Sequence, residues 1–345
     1  MSAPILEVSG LKVHFFTPEG VVRAVDDIDF TLERGKVLGL VGESGCGKSV
    51  TAQALLQIVP DPGRIVAGQM LYRPDPQREA IDIAKLGNRG PAIRNIRGQE
   101  IAMVFQEPAA AFCPVYTVGN QVSETFFIHG NTHISRAEAK VRSIRLLEEV
   151  GIPKADLRID QYPFQLSGGM RQRAFIAMCL AGNPKILIAD EPTTAVDVTI
   201  QAQILDLIKR EQQQRQMAVI LITHNFGIVA EMADEVAVMY LGKIVEQGSV
   251  LQIFDRPLHP YTRALLEAIP KLTRRTSARL MVIKGSVPPP FFRPQGCYFR
   301  PRCTSRIAGV CKREDPPLIE MEPGHKVRCF LYTEGAASKE GRGHE

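Results

Sequence analysis

Short apolar runs punctuate the chain, and between them apolar residues recur at helical spacing. Val37–Val41, Ile101–Phe105, Ile186–Ala189 and Ala218–Thr223 each hold four to six residues, the length of buried strands. Behind the first run, Ala52, Leu55, Leu56 and Val59 fall at helical spacing, as do Val141, Ile144, Leu147 and Val150 further on. A third amphipathic helix is predicted where Phe175, Met178 and Cys179 turn inward. Uninterrupted apolar runs such as Met217–Ile222 and Val236–Leu241 have six residues each, and none exceeds eight. A spanning helix needs roughly 20, so the expectation is a chain that does not cross a membrane. Glu7 interrupts the first apolar stretch and no basic segment precedes it, which argues against a signal peptide and for a cytosolic setting.

Composition then divides the chain. Its 345 residues suit two domains at about 150 residues each, and 45% hydrophobic with 23% charged residues is ordinary for a globular protein. The net charge of +5 is uneven, because residues 271–345 carry 15 Lys/Arg against 7 Asp/Glu. Four of the seven cysteines, Cys297, Cys303, Cys311 and Cys329, fall in that same stretch, and eight prolines lie between Pro288 and Pro323. We therefore expect a main domain over 1–270 and a small extension over 271–345. The basic extension has no aromatic-interleaved stripe, so it suits anionic lipid headgroups better than nucleic acid.

The run Val37–Val41 leads into Gly42-Glu43-Ser44-Gly45-Cys46-Gly47-Lys48-Ser49, which fits G-x-x-x-x-G-K-S/T in full. Strand, glycine loop and helix are the setting that this motif needs. Its glycines let successive backbone N–H groups point at phosphate oxygens, and the helix start adds its dipole. Lys48 is placed for the β and γ phosphates and the Ser49 hydroxyl for Mg²⁺, while Cys46 contributes only backbone. The run Ile186–Ala189 ends in Asp190-Glu191. A carboxylate at the end of a buried strand beside such a loop can hold Mg²⁺ through water, and a second one can polarise an attacking water. Alone, an acidic pair there would read as a solvated strand end; the phosphate loop upstream tips the reading to catalysis.

Leu166-Ser167-Gly168-Gly169-Met170-Arg171-Gln172 opens the helix that carries Phe175, and a serine before two glycines makes an anion-ready helix start. With this motif the chain resembles the ATP-binding subunits of ABC transporters, whose signature reads L-S-G-G-Q or, in one branch, L-S-G-G-M. Further marks follow in order. Gln106 stands after Ile101–Phe105 as the Q-loop glutamine, and Thr194-Ala195-Val196-Asp197 stands at the D-loop. His224 follows Ala218–Thr223 as the switch histidine, and Phe15 sits where the family stacks a ring on adenine. The resemblance implies an α/β fold: a P-loop core with a parallel sheet, an antiparallel N-terminal β subdomain, a helical subdomain near 107–180 and the Cys-rich extension. It implies ATP and Mg²⁺, with Ser49, Gln106 and Asp190 around the ion and Val50 closing the phosphate loop. It makes Glu191 the general base, His224 the group that holds the γ-phosphate, and Gln106 its sensor. It also implies that Ser167, Gly168, Gly169 and Asp197 serve nucleotide bound by a partner subunit, in a head-to-tail dimer.

Two classes share this core: subunits that energise membrane transport, and soluble ATPases that act on nucleic acid or ribosomes. Only 60 residues separate Gln106 from Ser167, and there is a single cassette without a long coiled coil. Phe105-Gln106-Glu107-Pro108, Pro114–Gly119 and His259-Pro260-Tyr261-Thr262 resemble the dipeptide, oligopeptide and nickel importer ATPases, over about residues 5–332. Ala111-Phe112-Cys113 stands where that branch reads Ser-Leu-Asn, and Val196 replaces a leucine. The expectation is ATP hydrolysis that drives solute import, with peptide the favoured solute. Expected partners are a second homologous ATPase (a heterodimer favoured over a homodimer), two membrane permease subunits and an extracytoplasmic solute-binding protein. The expected place is peripheral, on the cytoplasmic face of the inner membrane, without nucleic acid.

Cys297-x5-Cys303-x7-Cys311-x17-Cys329 has no tight zinc hook, and disulfides are disfavoured in the cytosol. The wider spacing suits an iron–sulfur cluster, with zinc or free thiols as alternatives. Around Gly296–Cys303 and Gly324–Cys329 the text resembles the peptide importer ATPases in which four cysteines hold a 4Fe–4S cluster in some members, which implies a structural cluster here. The four cysteines lie more than a hundred residues beyond Glu191, so replacing them is expected to leave nucleotide binding at Gly42–Ser49 largely unchanged.

Overall fold

The computed structural model describes residues 3–107, 111–129, 134–194, 196–269, 283–289 and 291–333. The expected domain boundary near 270, the linker after it, Pro108 and Ala195 lie outside the described residues. The strands are β1 (Leu6–Thr17), β2 (Gly20–Leu32), β3 (Val37–Val41), β4 (Gly63–Tyr72), β5 (Ile81–Asp82), β6 (Ile101–Val104), β7 (Ile186–Asp190), β8 (Ala218–Thr223), β9 (Glu235–Tyr240), β10 (Lys243–Ser249), β11 (Ile319–Glu322) and β12 (His325–Val327). They form two sheets, ordered β2-β1-β4-β5 and β11-β12-β10-β9-β3-β8-β7-β6.

The first sheet is antiparallel. Its alternation of buried Leu6, Val8, Leu11 and Val13 with half-exposed neighbours marks a sheet covered on one face. In the second, β9, β3, β8, β7 and β6 run parallel. There β3, β7 and β8 are buried at every position, as parallel strands are when helices cover both faces.

The helices Val118–His129, Arg136–Glu149 and Gly168–Leu180 pack together around Val122, Leu147 and Phe175, and this core runs on beneath the sheet to Leu187 and Leu221. Phe112, where the branch normally has leucine, is buried edge-on against Phe175 with ring centroids 5.9 Å apart. No described helix is long and apolar enough to cross a membrane.

The C-terminal stretch completes the main sheet. β12 pairs antiparallel with β10, Glu246 opposite Val327, and β11 pairs with β12. At that seam His325 Nε2 lies 2.9 Å from Glu246 Oε1, and both side chains are fully buried. Glu246 also accepts the backbone N–H groups of Leu258 and His259, at 2.7 and 2.8 Å. One carboxylate thus engages three donors from two segments far apart in sequence. Replacing it strands all of them, so Glu246→Leu should cost roughly 3–5 kcal/mol. The check is a lowered thermal unfolding midpoint together with faster proteolysis within 283–333.

Candidate functional site

The catalytic residues expected from sequence gather at the carboxyl ends of the parallel strands, where open α/β sheets place their ligands. β3 ends in the loop Gly42–Gly47, which opens the helix Lys48–Leu55. A Cβ on Gly42 would come within 2.1 Å of the Met239 carbonyl, and one on Gly47 within 2.2 Å of the Ala24 carbonyl. Only glycine lets the loop pack this closely onto β9 and β2. Ser44 and Gly45 are exposed, whereas Cys46 is buried and its thiol is pushed up by that burial. Lys48 is buried, with its Nζ on the carbonyl oxygens of Gly42 (2.8 Å) and Glu43 (3.1 Å). Val50 packs against the core behind the loop.

Ser49 Oγ donates to Asp190 Oδ1 at 3.1 Å, which joins the end of β7 to the phosphate loop. Burial raises the Asp190 carboxyl above its ordinary range, and the Glu191 charge beside it adds to the rise. A hydroxyl and a carboxylate set together in this way are oxygen donors of the kind that a hard divalent cation takes.

Glu191 is the centre of the arrangement. Its φ of 47° is in the left-handed region, uncommon for a residue with a Cβ, and its N–H donates to the Ile222 carbonyl. Gln106 Nε2 and Thr194 Oγ1 each donate to Glu191 Oε2 at 3.0 Å, and His224 Nδ1 lies 3.1 Å from Oε1. Burial would push this carboxyl up, but the bonds from His224 and Thr194 outweigh it and hold the group below the ordinary carboxylate range. A carboxylate kept ionised, fixed by three side chains and adjacent to a phosphate loop can take a proton from water. Gln106 is bonded to Glu191 here, not to the Ser49–Asp190 pair.

Other expected residues stand apart from this group. Ser167 caps the helix Gly168–Leu180 by accepting the Met170 N–H, and Ser167 and Gly168 are exposed. Asp197 caps the helix Val198–Arg215 in the same way, accepting the Ile200 N–H at 2.9 Å. Phe15 is partly buried over Gly63 and Val59, while Phe16 is 47% exposed.

Sequence reasoning missed four contacts. Thr194 was read only as part of the D-loop, and Gln172, which donates to the Pro192 carbonyl at 2.7 Å, only as part of the signature. Tyr261 accepts the Glu43 N–H, and Arg302 pairs with the Glu43 carboxylate. The Arg302 contact sets the extension directly against the phosphate loop, across a span too long for any local pattern to reveal.

Comparison with known proteins agrees with this geometry. The family described as ABC transporter matches residues 25–194, and the family described as oligopeptide/dipeptide transporter, C-terminal region, matches residues 245–311. A putative peptide import ATP-binding protein of Brucella abortus is 48% identical over 328 residues, 95% of either chain. The chain belongs to the ATP-binding subunits of ABC transporters. A probable peptide ABC transporter ATP-binding protein of Sinorhizobium fredii is 45% identical over 331 residues, 96% of either chain. Among solved structures, cbiO1 of Clostridium perfringens superposes with a TM-score of 0.59 at 28% identity, covering 73% of this chain and 91% of its own. A dimeric ATP-binding cassette bound to ADP and phosphate gives 0.62 at 22% identity, covering 71% and 98%. This ABC subunit is an ATPase with the P-loop fold that the sequence implied.

The iron–sulfur expectation fares differently. Among the described residues no group of three or more His, Cys, Asp or Glu side chains is arranged to hold a metal ion. A cluster at Cys297, Cys303, Cys311 and Cys329 thus finds no support as a closed ligand set. The four thiols are nonetheless neighbours. Burial foremost pushes Cys297 up to about 12, with Cys311, Cys329 and Cys303 adding to it, and Cys329 up to about 11.

In the ABC subunit Glu191→Gln keeps the phosphate loop and removes the ionised carboxylate beside it. ATP binding should persist while steady-state hydrolysis falls roughly 10²–10⁴-fold, measured by phosphate release; unchanged turnover would refute Glu191 as base. Thr194→Val removes a bond that lowers the Glu191 carboxyl. Its folded-state pKa should then rise, so the acid limb of the pH–rate profile should move to higher pH.

Proposed function

We propose that this ATPase energises peptide import, binding ATP at Gly42–Ser49 and using Glu191 to activate the water that attacks the γ-phosphate. The observation that carries the chemistry is the grouping of Gln106, Thr194 and His224 around one ionised carboxylate beside the phosphate loop. Lys48 leaves the loop carbonyls for the phosphates, His224 and Gln106 orient the water, and Phe15 supplies the adenine platform. Mg²⁺, held through Ser49 and Asp190 with Gln106 nearby, neutralises phosphate charge when bound. The assignment to peptide rests on the relatives' descriptions and on the match over 245–311.

Exposure of Ser167 and Gly168 supports a role in trans. Facing outward, the signature caps nucleotide on a second ATPase subunit, and we favour a distinct homologue as that subunit. A groove of about 600 Å³ beside the helix Val118–His129, lined by Tyr116, Asn120, Glu124, Phe127, Arg136 and Lys140, supports docking of a permease subunit. Val115, Ile128, Leu157 and Phe164, all exposed in the same stretch of the chain, are apolar side chains that such a partner would cover. Two permease subunits and an extracytoplasmic binding protein complete the assembly, with this subunit peripheral on the cytoplasmic face. Hydrolysis should be low for the purified chain and rise when the partner ATPase and permease subunits are added in membranes; equal turnover in both states would refute composite sites.

For the four thiols we propose a 4Fe–4S cluster. Ligands around a cluster stand farther apart than those around one ion, because the cluster lies between them. The Cys297 N–H donates to the Cys311 carbonyl at 3.0 Å, and Cys297 and Cys303 pack on one apolar cluster, which supports such a grouping. Protein purified without oxygen should be brown and contain about four iron and four sulfide per chain, with the colour lost in Cys303→Ser. A colourless preparation, or one with stoichiometric zinc, would overturn this reading.

A further inference from the structure

Glu43 is the second residue of a loop that receives a polyanion, where a free carboxylate would repel phosphate oxygens. Arg302 grips that carboxylate through both arms of its guanidinium, Nη1 to Oε2 at 2.6 Å and Nη2 to Oε1 at 2.9 Å. Bidentate pairing fixes geometry as well as charge. The Arg302 side chain is 4% exposed and that of Glu43 25%. Arg302 is itself held, since its backbone N–H donates to the Phe299 carbonyl, its Nε donates to the Lys284 carbonyl at 3.3 Å, and its guanidinium lies over the Tyr240 ring.

The main chain of Glu43 is anchored from the same side. Its N–H donates to Tyr261 Oη at 2.9 Å, and its carbonyl accepts from Lys48 Nζ. Tyr261 is fully buried and presented by the helix Pro260–Glu267, whose cap His259 accepts the Tyr261 N–H at Nδ1. Burial lowers His259 to about 3, so its ring stays neutral and able to accept. A second clamp holds the extension in place, with Arg293 Nη1 and Tyr298 Oη both donating to Asp26 Oδ2 on β2, at 2.7 and 2.9 Å.

We propose that Arg302 is a positioning residue for ATP binding: it neutralises Glu43 and holds its carboxylate toward the extension, so that the fold of the extension sets the nucleotide affinity of the phosphate loop. This makes Cys303, the next residue, a direct neighbour of the contact, and any reordering of the cysteine loop is felt at Glu43.

Calorimetric titration of the purified full chain with ATP tests this. Arg302→Met leaves a bare carboxylate in the loop and should weaken ATP binding roughly tenfold. Arg302→Lys, with the charge but not the fork, should fall between it and the wild type. The double variant Arg302→Met, Glu43→Gln has no charge left to repel phosphate and should regain most of the affinity, a recovery that mere structural damage would not produce. Wild-type affinity in Arg302→Met, or a double variant as weak as Arg302→Met alone, overturns the proposal. If Arg302→Met does not fold, Arg302→Lys carries the test: it must bind ATP more weakly than the wild type and recover with Glu43→Gln, and failure of either result overturns the proposal.

Discussion

The parallel register across β3, β8 and β7 pairs Val41 with Thr223 and Asp190 with Ile222, and the site depends on it. Each partner is the last or next-to-last residue of its strand, so Gly42, His224 and Glu191 emerge side by side from one edge. Side chains alternate faces along a strand, and a slip by one residue would exchange them. It would also part Ser49 from Asp190 and His224 from Glu191, pairs whose bonds tolerate only a few tenths of an ångström. The apolar runs that make these strands are thus more than core filling, because their packing on both faces is what forbids the slip.

A second constraint closes the molecule end on end. β12 lies on β10, Arg293 and Tyr298 hold Asp26, and Arg302 holds Glu43. Residues late in the chain thereby secure the elements that form first in sequence. Such contacts carry a large loop-closure cost and are favourable only when the segment between them is already ordered. The buried trio at Glu246, with donors from Leu258, His259 and His325, supplies part of that order between the sheet and the extension.

Much of the site is legible in the sequence because its physics is local. A glycine loop must follow its strand directly and open its helix directly, so Gly42–Ser49 is read within eight residues. Asp190, Glu191, Gln106 and His224 each end a short apolar run, and a strand end at the rim of a parallel sheet is where function concentrates. The Arg302–Glu43 and Tyr261–Glu43 contacts are not legible, since they join residues 259 and 218 positions apart that share no local pattern. His259-Pro260-Tyr261-Thr262 carries a resemblance without a reason until the helix Pro260–Glu267 is seen to aim Tyr261 at the phosphate loop. Cysteine spacing likewise brings four thiols near one another without specifying the geometry of their sulfur atoms.

Glu191 also answers to the helix that carries the signature. Gln172 is buried, and its side chain donates to the Pro192 carbonyl, one residue beyond Glu191. Its helix begins at Gly168, with Ser167 as cap and exposed. That single buried bond ties the helix to the residue that follows Glu191. Glu191 itself has little freedom to shift, being in the left-handed region with its N–H tied to Ile222. The placement of its carboxylate among Gln106, Thr194 and His224 therefore rests on the seating of this helix as well as on the end of the strand.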